Sequence, residues 1–83
     1  MTTRTPILPV DPQQVDDTGL PWVLLSRATD PGLVIPGATL VVGHPDDPLV
    51  GRIVDLQPLD GDHLVHVEVL GSVAELEATI HAA

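Results

Sequence analysis

The residues whose types could do chemistry are four histidines and twelve carboxylates, and their spacing restricts what that chemistry can be. His63 and His66 stand three apart, which on a strand places them on opposite faces, so the two cannot hold one metal ion. His44, Asp46 and Asp47 form one polar cluster, and Asp60 and Asp62 form another. A strand over 51–57 would separate the clusters by some ~20 Å at ~3.3 Å per residue. Each alone is too small for a calcium ion, which takes roughly six to eight oxygens, so turn chemistry is the better account of both. His66 is expected to pair with Asp55 across a hairpin, an exposed contact contributing roughly 0.2–1 kcal/mol. The chain has no cysteine and no lysine, its only serines are Ser26 and Ser72, and it carries neither a G-x-S-x-G elbow nor a phosphate-binding glycine loop. The expectation is a protein that is not an enzyme and needs no metal or cofactor.

The elements that position these residues centre on 37–71, three β-rich runs separated by two turn clusters. Asp60-Gly61 favours φ > 0 at both central positions of a type I′ turn and lies between alternating runs, so it reads as a hairpin tip. Counting outward pairs Leu59 with Asp62, Leu56 with Val65, Asp55 with His66, Val54 with Val67 and Ile53 with Glu68. Val54, Leu56, Val65 and Val67 then share one face, and a one-residue slip would mix them with His66 and Glu68. Such a hairpin needs further strands to cover it. Thr39 to Val42 supplies one, running into the tight segment 43–48 and completing a meander. Leu20 to Arg27 supplies another, with Pro21 near its start, where a missing N–H does least harm. Asp30, Pro31 and Gly32 form a turn before Leu33, Val34 and Ile35.

Eighty-three residues make one domain that buries only about 60–65% of its unfolded surface. Trp22 is the only aromatic residue, so small aliphatic side chains must fill the core, as suits a small barrel. Twelve acidic residues against three arginines give a net charge of −9, which repels phosphate backbones and anionic membranes. No run approaches the ~18 apolar residues of a membrane span, and the first twelve residues lack the pattern of a signal peptide. The expected partner is therefore protein, either another chain or a further copy of this one, with no nucleic acid and no membrane, in the cytoplasm or a virion.

Residues 1–19 read as an extended proline-rich arm and 20–83 as the barrel domain. Ordering a backbone costs roughly 1 kcal/mol or more per residue. The arm's few apolar residues, Ile7, Leu8, Val10 and Val15, each contribute at most about 1.5–3 kcal/mol when buried. That imbalance points to a neighbouring subunit as the arm's anchor, and deletion of 1–16 is expected to leave a folded domain that no longer assembles. In the first strand Trp22 and Leu24 face one way, Val23 and Leu25 the other, so one face covers the barrel and the other meets the arm or a partner. The expected protein-binding residues are thus Ile7, Leu8, Val10, Trp22, Val23 and Leu25.

The segment 72–81 carries two patterns. Ala74, Leu76, Ala78 and Ile80 alternate as in a strand, whereas Ser72 with Glu75 makes an S-x-x-E capping box, and Val73, Leu76 and Ile80 fit one helical face. Barrel closure favours strand; propensity favours a short helix. The run from Gly37 to Val42, the glycine-led run from Gly51 to Leu56 and the valine-rich run from Leu64 to Gly71 together resemble the KOW unit of NusG-type transcription factors and some ribosomal proteins. Gly51 stands at that family's glycine, and 71–77 resembles the strand that closes its SH3-like barrel. The resemblance covers about half the chain and implies an all-β fold, a small SH3-like five-stranded barrel. It does not extend to nucleic-acid binding, because the loop that is basic and aromatic in such proteins is here His44 to Pro48, with two aspartates. Many SH3-like barrels share the architecture without sharing a function, phage head–tail joining proteins among them.

Overall fold

The turn at Asp60-Gly61 has the backbone its residues demand. In the structure, a computed structural model that describes residues 5–75, Asp60 has φ 45° and Gly61 has φ 82°, both left-handed as a two-residue hairpin turn requires. Four strands, β1 (Trp22–Leu24), β2 (Thr39–His44), β3 (Asp47–Leu59) and β4 (Asp62–Ser72), form one antiparallel sheet in the order β1-β4-β3-β2. The fold is all-β. Its only other regular pieces among the described residues are 3-10 turns at Leu25–Arg27 and Pro31–Leu33 and a helical start at 73–75.

Near the tip the register is the expected one, with Leu59 opposite Asp62, Leu56 opposite Val65 and Asp55 opposite His66. Beyond Asp55 it departs. Val67 faces Ile53 rather than Val54, and Glu68 faces Arg52, because Val54 is an extra residue bulged out of β3. Ile53 therefore takes the core place expected for Val54: it is 1% exposed, and Val54 is 39% exposed. A second bulge leaves Leu70 of β4 unpaired between Val69, opposite Gly51, and Gly71, opposite Val50.

The first strand is shorter than expected. After Leu24 the chain turns, with the Ala28 N–H donating to the Leu25 carbonyl and the Ser26 N–H to Asp62 Oδ1 at 3.1 Å. That contact ties the turn to the base of the hairpin tip, and it ends the alternation that would have set Leu25 opposite Leu24. The tail also departs from the strand reading in its described part. Ser72 Oγ accepts the Glu75 N–H at 3.0 Å, as the capping box implies, and 73–75 is helical. Residues 76–83 lie outside the described residues.

The core is aliphatic: Leu8, Val10, Val23, Val34, Val42, Ile53, Val65 and Val67 pack together. Two of these come from the N-terminal segment. Leu8 bridges Val42 in parallel, with the Ile7 N–H donating to the Val41 carbonyl at 2.7 Å and the Gly43 N–H to the Leu8 carbonyl at 2.8 Å. On its other side the Ile7 carbonyl accepts the Thr29 N–H at 2.9 Å. The segment thus lies between the β2 edge of the sheet and the turn that follows β1. Gly51 is required by close packing, since a Cβ there would stand 2.6 Å from Val67 Cγ1 and 2.9 Å from Val42 Cγ2.

Candidate functional site

The two bulges stand at Val54 and Leu70, which are both exposed. Arg52 and Glu68 pair directly across β3 and β4, with Nη2 and Oε1 2.6 Å apart. By alternation Val54 follows Arg52 and Leu70 follows Glu68 on the sheet face opposite Ile53 and Val67. Leu70 is 48% exposed, so the pair is flanked by two outward apolar residues roughly 12 Å apart along the strands. A bulge re-aims a side chain at the expense of a ladder position. Here one bulge on each strand does so within a single face. The Arg52–Glu68 pair between the two apolar residues is itself neutral in a chain of net charge −9, so the apolar surface beside it can meet a second surface without a net charge at that point.

At the other end of that face sits His66, 1% exposed, opposite Trp22 of β1 and Asp55 of β3. Its Nδ1 is 2.7 Å from Asp55 Oδ1 and its Nε2 is 2.5 Å from Asp16 Oδ2. An imidazole can donate to two carboxylates only when both nitrogens carry protons, so the arrangement selects the imidazolium. The hydrogen bond that His66 donates to Asp16 leads in raising the His66 pKa above its ordinary 6.5, with Asp55 adding to it against the opposing effect of burial. Asp16 is held down to about 2, first by His66 and then by Thr18. Asp16 is positioned by its own turn. The Thr18 N–H and hydroxyl both donate to Oδ1, at 2.9 and 2.5 Å, and Gly19 turns the chain back with φ 78°. The Trp22 N–H then donates to the Gln14 carbonyl at 3.2 Å, fastening the loop to β1.

With both ring nitrogens occupied and the ring out of solvent, His66 has no free nitrogen for a substrate proton or a metal. Among the described residues no group of three or more histidine, aspartate or glutamate side chains could hold a metal ion, and no helix is long and apolar enough to cross a membrane. His44 is engaged locally, its Nδ1 accepting the Asp46 N–H at 3.1 Å in the β2–β3 turn.

The structure divides the six residues expected to contact protein. Leu8, Val10 and Val23 are buried in the chain's own core, so they are not available to a partner; their apolar surface fills the space between the sheet and the N-terminal segment. Ile7 and Leu25 are half-buried against that core. Trp22 is half-buried and lines an open recess of about 250 Å³ with Pro9, Asp11, Gln14, Leu24 and Arg27. Val54 and Leu70 were not among the six. A local signal for Val54 did exist in the sequence, two consecutive apolar residues at Ile53 and Val54 on a strand whose alternation allows only one inside. The pair Asp55 and His66 is where the sequence places it, but its histidine is buried and shared with Asp16, and only the carboxylate is exposed. No protein-family model, curated protein or solved structure is significantly similar to the chain.

Proposed function

We propose that this chain is a non-catalytic, acidic protein-binding subunit of a larger protein assembly, and that it docks through the bulged face of β3 and β4. The observation that carries this reading is the outward placement of Val54 and Leu70 by two separate bulges around the Arg52–Glu68 pair. Bulges also bend and twist the strands that carry them, but here both leave an apolar side chain exposed on one side of the hairpin, where a partner surface could cover it. The finer architecture belongs to the same proposal: a small SH3-like five-stranded barrel whose fifth side is the Ile7-Leu8 segment rather than the tail, supported by its hydrogen bonds to Val41, Gly43 and Thr29. A virion cement or head–tail joining component is one concrete version, and cytoplasm or virion is the corresponding location.

The test is native mass spectrometry of the chain isolated from its source, beside the Val54→Asp and Leu70→Asp variants. Recovery in a stoichiometric protein complex that either variant dissolves, with the fold unchanged by circular dichroism, supports the reading. Recovery only as a free monomer, or a complex indifferent to both variants, overturns it.

A second reading, a KOW-like factor of the transcription or translation machinery, draws on Gly51, whose steric requirement between Val42 and Val67 suits the glycine of that unit. Micromolar binding to duplex DNA or RNA at physiological salt, weakening steeply as salt rises, would put this reading first.

A further inference from the structure

We propose that His66 is a proton-operated latch: with both ring nitrogens protonated it fastens the 14–20 loop across the sheet, and loss of one proton frees that loop and with it the Gln14 side of the recess beside Trp22. The argument is geometric. His66 joins two carboxylates from parts of the chain with very different support. Asp55 belongs to β3, paired with β4 on either side of it, and its Oδ2 lies 3.5 Å from Gln57 Nε2. Asp16 belongs to a loop held to the rest by few contacts: the bridge of Val15 with Pro21, the Trp22 N–H to Gln14 and the bond to His66. A neutral ring keeps one N–H. It can satisfy one aspartate and must turn a lone pair toward the other, a repulsion that the buried ring itself cannot relieve by turning to water. The loop is the side that can yield.

The groups around the ring leave little else to compensate. From the loop it meets Asp16, from β3 Asp55, and from β1 Trp22, which carries no charge. On β4 itself Glu68 stands two residues away and is taken up by Arg52. The consequence reaches a surface, because Gln14 forms one wall of the recess of about 250 Å³ whose other wall is Trp22, Val23 and Leu24. Movement of the loop therefore alters the surroundings of Trp22, the one Phe, Trp or Tyr side chain in the protein.

The experiment follows the ring and the loop together in the full chain, using histidine ring chemical shifts and amide exchange of 14–20 from pH 5 to 9. Protection, corrected for intrinsic exchange, is expected to be constant below about 6.5 and to fall up to about tenfold per pH unit above it. It levels off where the latched ring loses its proton. Asp16→Asn should lower the ring's midpoint and shorten the range over which protection falls. A ring already neutral at pH 6.5 overturns the proposal, as does deprotonation without loss of protection at 14–20. So does a ring that titrates only when the whole domain unfolds, since the latch would then not be separable from the fold.

Discussion

Single residues decide two of the measurable properties. Asp16 and His66 impose opposite limits on pH. The histidine's folded pKa is raised, so its contribution to stability is full below about 6.5 and is lost as pH rises through the raised value. The aspartate's is lowered, so its contribution is full above about 3.8 and is lost as pH falls toward about 2. Urea unfolding across pH should therefore show a plateau between these limits as far as this pair is concerned, with declines on both sides that are shallower in Asp16→Asn. Equal slopes in the two proteins would show that the pair is not coupled to folding. At Gly51 the constraint is steric. A methyl group cannot enter between Val67 and Val42 unless one of these buried valines moves, so Gly51→Ala should cost roughly 1–3 kcal/mol, read from denaturant midpoints at constant m. Of these two features, Gly51 stands out in the sequence only through its place in the resemblance, without its steric cause. The sequence is silent on Asp16 because a partner fifty residues away leaves no local pattern.

Among the elements, the hairpin of β3 and β4 was the most legible, because Asp60-Gly61 fixes the turn chemistry and the turn fixes the register near it. Legibility stops at the bulge. Ile53 and Val54 are both apolar, so alternation alone cannot tell which of them faces inward, and the turn's authority ends where an extra residue enters the ladder. The assignment can be tested by unequal truncations. Ile53→Ala should destabilise by about 2–5 kcal/mol, whereas Val54→Ala should fall within about 0.5–1 kcal/mol of the parent. Equal losses would mean that no bulge is present in solution. The same parity gives Pro58 a position. In a ladder counted from a two-residue turn, 57 and 59 direct their N–H groups to β4, and 58 directs its own outward, where proline has none to offer. The exposed margin of the hairpin beyond β2 is thereby a poor template for another strand.

For the whole molecule, the division into arm and barrel gives way to one packed unit. Leu8 is fully buried and Val10 nearly so, among residues from β1 to β4, and the N-terminal segment bonds to both β2 and the turn after β1. Composition pointed toward a detached arm because proline and aspartate mark segments without regular structure. Irregular backbone can nonetheless place two apolar side chains in a core. Truncation of residues 1–10 should therefore abolish the cooperative thermal transition, the opposite of what an attachment arm implies. A truncated chain that melts as the parent does would return the segment to the role of a tether.

The parallel bridge of Leu8 with Val42 sets an order of events during synthesis. The two residues lie more than thirty apart in the chain, and everything between them must be made before the pair can close. The β3–β4 hairpin, joined like β2 and β3 by a two-residue turn, is made later still. Leu8 and Val10 thus wait, uncovered, while the sheet that will cover them is translated. Early in its life on the ribosome, a segment that ends with Leu8 and Val10 in the core is open to chaperones and proteases.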